Sequence, residues 1–124
     1  MIRKDFQIIS DWIKKDSTVL DLGCGDSTLL DYLKINKNIS GYGFEKDINK
    51  VQESIKKNIN VIQADFNIGL AKYFNSNFFD YAVMTQALQE NKNPDNIILE
   101  MLRVAREGIV TFPNMGFWRN RFQL

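Results

Sequence analysis

Gly23 and Gly25 follow the apolar run Val19-Leu20-Asp21-Leu22, and Asp26 and Ser27 come directly after them. A buried strand that runs into such a turn, and then into a helix, can bring backbone against a ligand. Glycine permits positive φ and close approach, and the first turn of the helix offers free N–H groups to an anion. Two carboxylates extend the pattern. Glu45 stands twenty residues after Gly25, at the end of the next strand-like segment. A carboxylate in that place can accept both hydroxyls of a ribose. Asp65 closes a third such segment, where an acceptor suits the amino group of an adenine. This spacing points to a nucleoside-bearing ligand and no further. The dinucleotide pattern G-x-G-x-x-G is not met, because its third glycine would fall on Thr28. Each member also has a plainer reading: a strand–helix turn that needs two glycines, a solvated Glu45, and an Asp65 that caps the next segment.

The elements that must position these residues alternate in hydrophobic period. Phe6, Ile9 and Ile13 give Asp5 to Lys15 a helical stripe. Residues 18–22, 39–45, 61–64, 78–84 and 109–112 read as five strands. Between them, Leu29, Leu30 and Leu33 mark a helix capped by Asp26 or Ser27, and Ile48, Val51 and Ile55 mark one capped by Asp47. A short helix is expected from about Asn67 to Phe74. Asn93-Pro94 opens another, with Ile97, Ile98, Met101, Leu102 and Ala105 on its buried face and Gly108 as its stop. Pro113 onward reads as irregular. Strands alternating with helices predict an α/β fold, a Rossmann-like, mostly parallel sheet with helices on both faces. Residues 1–124 are expected to form one domain. The fifth strand would be a long apolar edge. Either self-association through that edge covers it, giving a homo-oligomer, or the domain lacks its last strands; the second is the preferred expectation.

Composition excludes several classes of function. The chain is 44% hydrophobic and 25% charged with a net charge of +1, which is neither a disordered nor a strongly basic nucleic-acid-binding balance. It has no histidine, so Ser-His and Cys-His pairs and histidine-ligated metal sites are absent. A single cysteine forms no internal disulfide or thiolate cage, and a reducing cytoplasm is the expected compartment. Met1 to Ser10 lacks a signal-peptide core, and no apolar run is long enough for a membrane span.

Taken in order, Asp21, Gly23, Gly25, Glu45 and Asp65 resemble the class I S-adenosylmethionine-dependent methyltransferases. The resemblance implies that Asp21 lies near the amino group of S-adenosylmethionine or S-adenosylhomocysteine. Gly23, Cys24 and Gly25 would pass against its methionine and ribose part, Glu45 with neighbouring Lys46 would hold the ribose, and Asp65, flanked by Ala64 and Phe66, would reach the adenine. Thr85 and Gln86 would lie beside the methionine moiety. The third glycine frequent in that family falls here on Ser27, which implies a tighter turn or a ligand held less closely.

A narrower resemblance rests on Thr85-Gln86-Ala87-Leu88-Gln89 and on Phe112-Pro113-Asn114-Met115-Gly116-Phe117-Trp118-Arg119, beside the glycine block and Met101 to Arg106. These segments are similar to the MetW family of methionine biosynthesis proteins, whose members continue past the tail into the last strands of a seven-stranded sheet. The resemblance implies partnership with, or regulation of, a homoserine O-acyltransferase. The alternative is a methyltransferase acting on a small molecule. Glu90 and Asp95 are the available general bases, though a solvated loop and a first-turn helix charge describe them better. Cys24, in a tight turn, reads as a small buried group rather than a nucleophile. Trp118-Arg119-Asn120-Arg121 reads as a packing surface rather than a nucleic-acid contact.

Overall fold

The computed structural model describes residues 4–65, 73–85, 94–112 and 116–121. In chain order these form α1 (Lys4–Trp12), β1 (Thr18–Leu22), α2 (Thr28–Lys37), β2 (Ser40–Glu45), α3 (Ile48–Lys56), β3 (Asn60–Gln63), β4 (Phe79–Thr85), α4 (Pro94–Val104), β5 (Ala105–Phe112) and β6 (Gly116–Arg121). The strands make one sheet in the order β3-β2-β1-β4-β5-β6. The first five run parallel, and β6 returns antiparallel to β5.

Helices on both faces explain why the strands read as continuous apolar runs. Val19, Val83 and Ile109 point to one face, where they pack with Phe6, Ile9 and Ile13 of the N-terminal segment and Leu29, Leu30 and Leu33 of α2. Leu20, Met84 and Val110, one residue further along each strand, point to the other, against Ile97, Met101 and Val104 of α4. The mostly parallel Rossmann-like sheet of the class I methyltransferase type is therefore present. Strand order reverses at β1, which has β2 on one side and β4 on the other. Ligands of open parallel sheets bind outside the carboxyl ends at such a point.

Three expectations are corrected. The fifth strand is not an edge: β5 lies between β4 and β6, with Ile109 opposite Arg119 and Thr111 opposite Phe117. Self-association through an exposed fifth strand has no exposed strand to use. The segment after Pro113 is correspondingly not wholly irregular, because residues 116–121 supply β6. Gly108 does not stop α4: the helix ends at Val104, and Gly108 sits inside β5 opposite Ala82. Pairing along β4 begins at Ala105 opposite Phe79, so the ladder takes residues that the apolar period assigned to the helix. The expected short helix at 67–74 falls largely outside the described residues, as does Asn93, the expected cap of α4.

Candidate ligand-binding site

The turn after β1 is built by three left-handed residues. Gly23 has φ +71°, Gly25 φ +60° and Ser27 φ +66°. The backbone N–H groups of Gly23 and Cys24 both donate to the Phe44 carbonyl, at 2.7 and 3.2 Å, which anchors the turn to the end of β2. β2 must be thin where the turn crosses it. A Cβ on Gly43 would stand 2.4 Å from the Cys24 sulfur, so a larger residue there would have to displace the Cys24 side chain. Cys24 is buried. Its thiol is pushed up to about 12, first by burial and then by the Asp21 charge, while the Ser27 and Ser54 hydroxyls pull the other way. A thiol in that state packs rather than attacks.

Glu45 closes β2 with its carboxylate turned back to the turn. Its Oε1 accepts the Gly25 N–H at 2.8 Å, and its Oε2 accepts the N–H groups of Lys46 and Asp47, each at 3.0 Å. A carboxylate has about four acceptor positions, so the three backbone donors leave about one for a ligand hydroxyl. The chain then enters α3, whose cap is Asp47, accepting the Asn49 N–H at 2.9 Å.

Asp21 differs from its neighbours. It lies at the carboxyl end of β1, fully buried, and its Oδ1 has no hydrogen-bond partner among the described residues. Desolvation, and secondarily the charge of Glu45, push its carboxyl up to about 8. A buried carboxyl without a partner costs free energy. A positively charged group placed against it would relieve that cost and displace its proton.

The remaining candidates stand along the same edge of the sheet. Ala64 donates its N–H to the Glu45 carbonyl at 3.0 Å, which brings the end of β3, with partly buried Asp65, beside the end of β2. Lys46 is exposed just beyond Glu45. Thr85 ends β4, opposite Thr111 of β5. Asp21, Gly23, Cys24, Gly25, Glu45, Lys46, Ala64, Asp65 and Thr85 thus gather at the carboxyl ends of four adjacent strands in the order β3-β2-β1-β4. Phe66, Gln86 and Glu90 lie outside the described residues, and Asp95 is exposed in the first turn of α4.

Sequence reasoning missed four residues. Ser27 holds the N-cap position of α2 but its side chain makes no capping bond; Asp26 Oδ1 instead accepts the Thr28 N–H at 3.0 Å and the Thr28 hydroxyl at 2.6 Å. Those two bonds, with nearby Lys57, hold the Asp26 carboxyl below its ordinary range. Ser54 is fully buried on α3 against the turn, while Ile48 and Ile55, expected inside, are about half exposed. A serine in a Lys-rich helix gave no sign of this. Gly43 could have been found from its place opposite Asp21 in the pairing. Thr111 carries a second buried atom, Oγ1, without a partner among the described residues. Among those residues there is also no group of three or more metal-ligating side chains and no helix long and apolar enough to cross a membrane.

Comparison with known proteins gives the family and the fold. The family model described as "Methionine biosynthesis protein MetW" matches residues 3–124. A bifunctional methionine biosynthesis protein MetXA/MetW of Rhodopirellula baltica is 32% identical over 121 residues, covering 91% of this chain and 19% of that protein. Among solved structures, a methyltransferase from Thiobacillus denitrificans in complex with S-adenosyl-L-homocysteine superposes with a TM-score of 0.72 at 15% identity, covering 89% of this chain and 48% of that one. An S-adenosylmethionine-dependent methyltransferase from Aquifex aeolicus gives 0.69 at 21%, covering 86% and 62%. At such identities the likeness is one of fold. The chain spans about a fifth of the length of its curated relative and about half to three-fifths of these structures.

Proposed function

Because the chain belongs to the MetW family of methionine biosynthesis proteins, we propose that it binds S-adenosylmethionine at the carboxyl ends of β1 to β4 and transfers the methyl group to a small-molecule acceptor. The observation that carries this reading is the partnerless Oδ1 of Asp21, buried beside a left-handed glycine turn. The ligand's amino group is the cation that such a carboxyl lacks. Gly23, Cys24 and Gly25 present backbone to the methionine and ribose part, Glu45 has about one acceptor position left for a ribose hydroxyl, and Asp65 with Ala64 borders the adenine. Thr85 flanks the methionine end. S-adenosylmethionine supplies a methyl group already activated on a sulfonium, so the chain's task is to position and to exclude water rather than to provide strong acids or bases. A chain without histidine is suited to that.

Two measurements test this. S-adenosylhomocysteine should bind in a titration, and Glu45→Ala should weaken it by about 1–3 kcal/mol through loss of a charge-assisted hydrogen bond and of the turn's anchor. Label from methyl-labelled S-adenosylmethionine should then pass into a small-molecule fraction of a cell extract. Binding without any transfer removes the enzyme reading. It leaves the second one, in which the bound ligand modulates a homoserine O-acyltransferase. The fused MetXA/MetW relative supports that second reading. Its test is an acyltransferase assay with and without this protein, where unchanged activity and no complex would exclude it.

A further inference from the structure

We infer that Ser54 of α3 is a positioning residue for the glycine turn, holding it through a buried hydroxyl pair with Ser27. The Ser27 backbone is left-handed, at φ 66° and ψ 28°. A side-chain-bearing residue pays for that conformation unless its surroundings impose it. The serine hydroxyl does not cap α2. It donates to Ser54 Oγ at 2.7 Å, and both residues are wholly buried. Ser54 Oγ in turn lies 3.1 Å from the Gly25 carbonyl and 3.0 Å from the Lys50 carbonyl one helical turn back. A hydroxyl has one proton to give, so Ser54 divides it between its own helix and the turn.

Gly25 is therefore held through both of the peptide groups that flank its Cα. Glu45 of β2 takes its N–H at 2.8 Å, and Ser54 of α3 faces its carbonyl. Gly43 forms the floor beneath Cys24. A further tie, Lys57 Nζ to the Asp26 carbonyl at 2.8 Å, is more exposed to solvent and contributes less. The third glycine expected from the class I pattern is thus replaced by a serine with glycine-like backbone and a hydroxyl that fastens the turn to the neighbouring helix. That fastening sets where the backbone of residues 23–25 stands relative to a ligand.

The test has a ligand-free arm and a ligand arm, and only the second rests on the proposed function. Amide hydrogen exchange at Gly25 is measured in the unliganded chain for wild type, Ser54→Ala, Ser27→Gly, the double variant and Val51→Ala, which removes a buried apolar group from the same helix. S-adenosylhomocysteine is titrated into each. Ser54→Ala should speed Gly25 exchange about tenfold beyond Val51→Ala, and weaken binding about tenfold, by removing the 2.7 Å partner of the Ser27 hydroxyl and leaving the Gly25 carbonyl only the weak Cys24 thiol donor at 3.6 Å. The double variant should lose less than the sum of its parts, because Ser27→Gly both removes the stranded hydroxyl and relaxes the left-handed backbone. Equal effects from Ser54→Ala and Val51→Ala, or strict additivity in the double variant, would overturn the inference. If wild type binds no S-adenosylhomocysteine, the proposed function falls while the exchange data still decide the role of Ser54.

Discussion

The two ends of the sheet are built on opposite terms. At the amino ends, β1 and β4 are laced together: Asp80 Oδ2 accepts the N–H and hydroxyl of Thr18 at 2.9 and 3.1 Å, and Thr18 Oγ1 accepts the Asp80 N–H at 2.9 Å. The Tyr81 hydroxyl accepts the Lys14 N–H at 3.2 Å, and Ser17 donates to the Lys14 carbonyl at 2.7 Å. At the carboxyl ends β1 and β5 carry Asp21 Oδ1 and Thr111 Oγ1, the buried side-chain atoms that have no hydrogen-bond partner among the described residues. Thr18 and Asp21 stand only three positions apart on one strand. The contrast teaches that side-chain hydrogen bonding between strands is gathered at one end and unmet polar capacity at the other, while left-handed backbone occurs at both, at Asp16, Asn38, Asn58 and Asn77 before the strands and at Gly23, Gly25 and Ser27 after β1. Unmet polar capacity of this kind is what the proposed ligand would satisfy.

The sharpest way to break the contrast is through the pH dependence of Asp21. Its carboxyl is raised from 3.8 to about 8 on folding. The folded chain therefore holds a proton that the unfolded chain releases. The stability this contributes is complete below about pH 4 and is lost as pH rises through about 8, a change of several kcal/mol. Denaturant midpoints should fall from pH 5 to pH 8.5 in wild type, and Asp21→Asn should flatten that fall while abolishing most S-adenosylhomocysteine binding. Ligand uptake by wild type at pH 7 should also release a proton, read as a dependence of binding heat on buffer ionisation. A variant that keeps both the slope and the proton release would exclude Asp21 as the group responsible.

The second effect should be purely structural. Asp80→Ala strands the Thr18 N–H and hydroxyl at the amino end, and should cost about 2 kcal/mol of stability. S-adenosylhomocysteine affinity, measured well below the unfolding midpoint, should not change. A matching loss of affinity would mean that the two ends are coupled through β1 and β4 and that the division drawn above is false.

The fold was legible because its strands are buried on both faces and so announce themselves as short apolar runs between helical stripes. The glycine turn, Glu45 and Asp65 were legible because their types and spacing follow strand ends. What escaped the sequence depends on pairing and on helix roll. Gly108 reads as a helix stop until the β4 ladder claims it. β6 is invisible while residues past Pro113 are judged by local period alone. Ile48 and Ile55 read as buried, yet α3 turns Ser54 inward instead, because the turn above it offers two polar partners. No local rule marks that serine, since its value lies in a hydroxyl 27 residues away in the chain.

The smallest effect tests whether both partnerless atoms serve the ligand or only one does. Thr111 lies one residue from the end of β5, opposite Thr85, and on the same face as Ile109 and the α1 side of the core. Exchanging threonine for valine is ordinarily harmful inside a protein because a paired hydroxyl is lost. Here the hydroxyl has no partner among the described residues, so Thr111→Val removes an unmet group and keeps the shape. Stability should rise, by up to about 1 kcal/mol, and S-adenosylhomocysteine affinity should hold. A fall in stability would show that Oγ1 is satisfied after all and would leave Asp21 as the single unmet group. A stable variant with normal S-adenosylhomocysteine affinity and slowed methyl transfer would instead place the hydroxyl toward the acceptor, dividing the carboxyl end into a cofactor side at β1 and an acceptor side at β5.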